Sequence, residues 1–361
     1  MKKKAPKILR VGVWGLGRAG HTMHLKELAN FPENYLAVAG CDKDPERRRE
    51  AHEAYPALRI YSNAKELLAD PEVDMIAVAT RSPDHVRHAI RALEAGKYVV
   101  CEKPVAASVR EIEKLKAASE RFPGKLFIRH NRRFESAFAH VREIIASGKL
   151  GFVYEIKLRR HSYQWRCDWQ TIRRGMGGQL LNWGPHLIDQ ALQFLEAPVE
   201  SLWSDLKLVA AFGDAEDHFK LLLRGTNTRI IDVEVSGGVS LPENVYCVHG
   251  TRGTLISANE KTIKMRYLRT DKKIPKLTAT TANPPLHGGF GKPIPADWWV
   301  DEEIPVAPAS GDTIGKCYLR IWEAIMGIRP YAVTIDQAIE VVRVTERVRR
   351  TRIDDVKHRR R

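Results

Sequence analysis

Along the first 130 residues, short apolar and β-branched runs alternate with stretches whose apolar positions recur every three or four residues, the pattern of parallel βαβ units. Runs at 9–14, 36–41, 59–61, 75–79, 98–101 and 126–129 predict six strands. The helices between them carry their own punctuation. Asp44-Pro45 opens one, Ser82-Pro83 another, and Ser108 with Glu111 forms a capping-box pattern before a third. Six strands with short connections predict a doubly wound nucleotide-binding sheet. After about Arg133 the rhythm changes. A helix over 135–146 ends at Ser147-Gly148, and alternating segments follow at 153–161, 202–209, 219–223, 229–235 and 245–249. They predict antiparallel strands of a second, α+β domain, broken by one helix over 184–195. Residues 270–312, rich in Pro, Gly and Thr, read as long loop. Two helices, over 312–326 and 335–350, close the chain, the latter capped by Thr334 with Gln337. The expected division is 1–130 and 131–361.

Composition changes this picture little. A hydrophobic content of 43% and an aromatic content of 8% in 361 residues exclude wholesale disorder and collagen-like repeats. No apolar run approaches the roughly 20 residues of a membrane span. The basic start (Lys2, Lys3, Lys4) precedes an apolar stretch that holds Arg10 and lacks a small-residue cleavage site, which predicts a first strand and a cytoplasmic protein. Five widely spaced cysteines without a CxxC support neither a zinc ribbon nor a disulfide scaffold. The histidine pairs His21/His24 and His85/His88 lack completing ligands, so no metal is expected and both read as polar helix surface.

A net charge of +15 nominates an anionic partner. Residues 1–10 and 343–361, however, hold 11 of those 15 charges, leaving +4 over the other 332 residues. With no base-stacking or groove-binding module beside them, these ends read as serving solubility or weak association with anions, and no specific nucleic acid is expected.

Three segments carry chemistry. Gly15-Leu-Gly17-Arg18-Ala19-Gly20 follows the first strand and opens a helix. Glycines there permit a tight turn and close approach of a pyrophosphate to free helical N–H groups. Asp42, at the end of the second strand, can accept from adenine-ribose hydroxyls and repel a 2′-phosphate, favouring NAD over NADP; Lys43 beside it softens that preference. Cys101-Glu102-Lys103-Pro104 ends the fifth strand, where open parallel sheets bind ligands. By itself it reads more readily as a polar turn. The third segment, 175–189, contains Asn182, His186 and Asp189; His186 can serve as a general base or as a satisfied structural histidine.

The order of these motifs, together with Thr80-x-x-x-x-His85, Ala95-Gly96-Lys97, Asn131-x-Arg133-Phe134 and Gly184-x-His186-x-x-Asp189, resembles the Gfo/Idh/MocA family (glucose–fructose oxidoreductase and inositol dehydrogenase) over about residues 7 to 350. The resemblance implies an N-terminal Rossmann NAD(P)-binding domain and a C-terminal α+β domain with a large, mostly antiparallel open sheet. It implies dimers or tetramers built on that sheet. It also implies hydride transfer between nicotinamide and a secondary hydroxyl of a sugar, polyol or sugar derivative. Alternatives are NAD-assisted glycoside cleavage by transient oxidation and elimination, or a non-catalytic dinucleotide-binding regulator. By resemblance Lys103 and His186 are catalytic and substrate-binding, with Asn182 standing where the family usually has aspartate. Thr80, Arg81, His85, Glu102, Trp165 and Arg166 fall at positions that face the cofactor, Arg166 also the substrate. Arg81 replaces a usual proline. Arg159-Arg160-His161 and Arg173-Arg174 flank the site as candidate carboxylate binders or as solvated charges.

Overall fold

A computed structural model describes residues 8–282, 284–285, 291, 294–307 and 314–357. Residues 1–7 and 358–361 of the basic ends, and the expected start of a helix at 312, lie outside the described residues.

Six strands form the first sheet: β1 (Leu9–Trp14), β2 (Tyr35–Cys41), β3 (Arg59–Tyr61), β4 (Met75–Val78), β5 (Tyr98–Cys101) and β6 (Leu126–Ile128). All neighbours pair in parallel, in the order β3-β2-β1-β4-β5-β6. Every residue of β4 is buried, as expected for a parallel strand covered by helices on both faces. The punctuation works as read at Asp44, whose side chain accepts from Glu46 N–H at 3.0 Å. At Ser108 it works in part. The serine accepts from Glu111 N–H, but the Glu111 carboxylate takes the N–H of Ala107, not that of the cap residue.

The second sheet has nine strands: β7 (Val153–His161), β8 (Val199–Leu208), β9 (His218–Gly225), β10 (Ile230–Ser236), β11 (Tyr246–Gly250), β12 (Gly253–Ser257), β13 (Thr262–Leu268), β14 (Trp299–Pro305) and β15 (Ile353–Asp355). Their order is β14-β13-β12-β11-β7-β10-β9-β8-β15. Two pairings, β7–β10 and β8–β15, run parallel and the others antiparallel, so the sheet is mostly antiparallel as the resemblance implies. Strands β12, β13 and β15 were not expected, and β14 lies inside the stretch read as loop. The helix Gly184–Leu195 packs its buried face, including Leu187, Ile188 and Ala191, into this sheet's core.

The closing helices do not stay with the second sheet. Cys317, Tyr318 and Ile321, from the helix Cys317–Ile325, share a core cluster with Leu9, Val11 and Val13 of β1. In the helix Ile335–Val348, Ala338, Ile339 and Val342 pack with the first domain, while Val341, Val344 and Val348 pack with the second. This helix starts as read: Thr334 and Gln337 exchange both capping-box bonds at 3.2 Å. Among the described residues no helix is long and apolar enough to cross a membrane.

Candidate active site

Strand order reverses between β1 and β4, where a doubly wound sheet opens its crevice. Gly15, in the turn after β1, has φ of 101°, and a Cβ there would come within 2.5 Å of the Ala79 carbonyl oxygen. Only glycine closes this turn. A Cβ on Gly20 would overlap the Gly15 carbonyl, whereas Gly17 faces open space. That bare backbone leaves room for a pyrophosphate at the helix start, with Arg18 exposed and Ala19 half-buried beside it. Asp42 turns back on the loop, Oδ2 accepting from Leu16 N–H at 2.8 Å and Oδ1 from Asp44 N–H at 3.0 Å. Each carboxylate oxygen keeps a lone pair for a ribose hydroxyl. Lys43 is exposed. These residues fit a dinucleotide.

The helix beyond the turn runs as a π-helix over Gly20–Leu25, a form frequent at functional sites, and carries His24 fully inside. His24 Nε2 lies 3.1 Å from Glu102 Oε1, and its Nδ1 lies 2.6 Å from the Tyr318 hydroxyl. Arg129, 1% exposed, donates to Glu102 at 2.6 Å and to Glu27 at 2.5 Å. Burial alone would raise the Glu102 carboxyl; the charge of Arg129 and the His24 contact hold it well below the usual range. Glu102 in turn accepts from the Lys103 N–H at 3.0 Å. It borders the cleft, but its bonds fix the backbone of the residue that follows.

The Lys103–Pro104 peptide is cis. His85 sits under it, its ring nitrogens 2.8 Å from the Pro104 carbonyl and 3.0 Å from that of Thr80. Both histidine pairs turn inward, against the expected polar helix surface: His24, His85 and His88 are buried and His21 is half-buried, and His88 stacks on Trp14 with its Nδ1 2.9 Å from the Thr80 hydroxyl.

Lys103 Nζ crosses to the second domain and donates to the Asn182 carbonyl at 3.1 Å. Burial lowers this ammonium to a pKa of about 8; Glu102 opposes the shift and Arg18, Arg129 and Arg132 add to it. His186 is 8% exposed, and its Nδ1 has no partner among the described residues. Burial, then the positive charges of Lys103 and Arg132, push the imidazole well below its usual pKa. It is therefore neutral at pH 7, the form that accepts a proton. Asp189 does not join it. Its carboxylate is held by Arg133, whose Nη1 also donates to the Ala332 carbonyl at 2.8 Å and to Gln337. That latch fixes the His186 helix against both domains.

Thr80, Lys103, Asn182 and His186 thus border one cleft of about 340 Å³ between the domains, with Trp169 and Trp183 among its walls. Residues 9–130 match the model described as "Oxidoreductase family, NAD-binding Rossmann fold", and residues 138–256 match "GFO/IDH/MocA C-terminal domain". The chain belongs to the GFO/IDH/MocA oxidoreductase family. The uncharacterized oxidoreductase YdgJ of Escherichia coli is 28% identical, with 97% of each chain covered. The scyllo-inositol 2-dehydrogenase (NADP(+)) IolW of Bacillus subtilis is 25% identical over 94% of this chain and 92% of that one. The WlbA dehydrogenase of Bordetella pertussis, solved with NADH and UDP-GlcNAcA, superposes with a TM-score of 0.74 at 21% identity over 96% of each chain. The protein is accordingly an NAD-dependent oxidoreductase.

Several expected residues of this family member lie away from the cleft. Trp165 is 75% exposed. Arg166 is bound to Asp168 at 2.8–3.0 Å and to Gln170 at 2.7 Å, reaching the cleft only through Gln170, which borders it. Arg159 is taken up by Asp232 and Glu243, Arg160 by Glu260, and His161 lies against Glu234; none is free for a substrate carboxylate. Arg173 and Arg174 are exposed. Arg132, not singled out from sequence, does border the cleft, its guanidinium 4.2 Å from the Trp183 ring centre.

Arg81 makes a contact between the domains, its guanidinium 4.8 Å from the centre of the Trp169 ring. A cation–π contact of this kind contributes roughly 0.5–1 kcal/mol. Arg81→Ala and Trp169→Ala are each expected to speed NADH release about two- to fivefold, measured by fluorescence after a chase with unlabelled cofactor. Unchanged release would remove this contact from cofactor retention.

Proposed function

We propose that the protein is a dehydrogenase that oxidises a secondary hydroxyl of a sugar, polyol or sugar derivative. The observation that carries this reading is the meeting of Lys103 and a neutral His186, from separate domains, in the cleft that opens onto the Gly15 turn. When bound, NAD supplies the hydride acceptor. Gly15, Gly17, Arg18, Ala19 and Gly20 hold its pyrophosphate, and Asp42 takes the adenine ribose, favouring NAD over NADP with Lys43 tempering that choice. Thr80, His85 and Glu102 border the far end of its cleft with Arg81 stacked on Trp169 beside them, while Arg166 reaches its edge only through Gln170 and Trp165 stays exposed outside it. His186 takes the substrate hydroxyl proton, while the Lys103 ammonium donates to the developing alkoxide and the Asn182 side chain orients a neighbouring hydroxyl. The inositol dehydrogenase among the relatives supports the substrate class. Action in the cytoplasm as a homodimer or homotetramer belongs to the same reading; Tyr154 of β7 and Trp203 of β8, each about half exposed, offer the sheet face for it.

The test is a panel of inositols, aldoses and sugar acids assayed with NAD. Free NADH formed one-for-one with substrate supports net oxidation. Turnover without free NADH points instead to transient oxidation and elimination, and no turnover across the panel to a regulator. The pH dependence assigns the protons. With Lys103 acting as the ammonium, kcat/KM for oxidation is expected to fall as pH rises through about 8, because the charged donor is lost there while His186 stays neutral throughout. A rise through the same value would make Lys103 the base.

A further inference from the structure

The acceptor for Lys103 is a backbone carbonyl, so the ammonium is only as well placed as the helix Gln179–Asn182 that ends in it. A helix of four residues does not sustain itself; its direction comes from what holds its ends. Its N-terminal end is held by one residue from the segment before β9. Glu216 accepts the Gln179 N–H on its backbone oxygen at 2.9 Å and the Leu180 N–H on Oε1 at 3.0 Å. Gly178, with φ of 104°, lies against that carboxyl so closely that any Cβ would overlap it. The neighbours of Glu216 stiffen the same junction. Asp214 accepts from Arg173 N–H at 2.7 Å, Ala215 N–H donates to the Thr171 carbonyl at 3.0 Å, and Asp217 caps three N–H groups at 209–211.

We infer that Glu216 is a positioning residue for Lys103, acting through Leu180 N–H and the Asn182 carbonyl. The inference rests on the reading above only for its consequence in catalysis; the coupling itself needs no substrate. Glu216 is 6% exposed, and burial raises its carboxyl to about 7, with its own backbone N–H and that of Leu180 and then Arg173 and Arg349 opposing. Those two arginines border the small void beside it; the Asp214 and Asp217 carboxylates are turned onto backbone N–H groups. A buried carboxyl with this little compensation costs stability, and the short helix is what its bonds secure.

Lys103 reactivity reports the coupling directly. The purified protein is pulsed with acetic anhydride across a pH series, and acetylation of Lys103 is followed by mass spectrometry against surface lysines. The wild-type midpoint is expected near 8. Glu216→Ala frees the helix, hydrates the ammonium and is expected to move the midpoint toward the ordinary 10.5 by about one unit or more. Glu216→Gln keeps an acceptor for Leu180 N–H and is expected to stay near the wild type. Gly178→Ala, which displaces the carboxyl, gives the same shift as Glu216→Ala and serves if that variant fails to fold. A midpoint unmoved in folded Glu216→Ala or Gly178→Ala overturns the inference, as does an equal shift in Glu216→Gln. NADH titration within twofold of wild type separates a moved lysine from a damaged cofactor site. Absence of turnover on every substrate bears on the proposed reaction and leaves this readout intact.

Discussion

Lys103→Met is expected to cut kcat by about 10³-fold while NADH affinity changes less than twofold. Methionine keeps the length and apolar stem of lysine but cannot donate to a developing alkoxide. In a buried site that donor acts without competition from water, which is why its loss is costly there. The cofactor loop, the Glu102 bonds and the Asn182 helix make no use of the Lys103 side-chain charge apart from one hydrogen bond to a carbonyl. Single-turnover kinetics with NADH titration as control separates the two effects. Turnover retained within about tenfold of wild type would sink the assignment.

Arg129→Met is expected to destabilise the fold by about 3–5 kcal/mol. The guanidinium is the shared cation of Glu102 and Glu27, and its removal strands a buried carboxylate at the centre of the first domain. The pH dependence should change with it. In the wild type the Glu102 pKa is depressed, so its contribution is present above the ordinary carboxyl range and lost only as pH falls through the depressed value. Without Arg129 burial dominates and the pKa rises above that range, so the variant gains stability as pH falls toward 5. Urea unfolding at pH 7 and pH 5 reads both effects. A variant equally stable at both, or less stable at the lower pH, would contradict this account.

How legible this molecule is from its sequence differs by element. The first sheet was readable because its central strands β1, β4 and β5 are almost wholly buried and its helices carry local caps, so that pattern and punctuation agree at Asp44; the same holds for the closing helix at Thr334. In the second sheet, β12 is only five residues long and β15 three. Runs that short do not establish alternation, and β14 pairs with β13 across thirty residues of Pro- and Gly-rich chain. The parallel β7–β10 pair leaves no local mark at all, since parallel and antiparallel strands with one buried face alternate alike.

In the site, the residues that a motif marks were readable: Gly15 in the turn after β1, Lys103 at the end of β5 and His186 on the helix Gly184–Leu195. Those that hold them were not. His24 and Arg129 are ordinary polar residues in sequence, and only folding brings them from 78 and 27 residues away onto Glu102. Asp189 lies three residues from His186, a spacing that shares a helix face, yet Arg133 holds its carboxylate instead. Arg166 was placed by resemblance, and the structure turns it onto Asp168 and Gln170.

The helix Cys317–Ile325 has a consequence for biosynthesis. Tyr318 places its hydroxyl against His24 and its carbonyl under the Tyr35 hydroxyl, and Tyr331 donates to the Ile128 carbonyl. The nucleotide-binding half is made first, yet its core lacks these side chains until the last part of the chain leaves the ribosome. The nascent first domain must therefore wait, with one face of its sheet covered only in part by its own Leu25, Leu28 and Ala51, through the translation of nearly two hundred residues. A chaperone binding that face would act before the enzyme exists, and the moment the lysine's supporting histidine gains its partner is also the moment the two halves become inseparable.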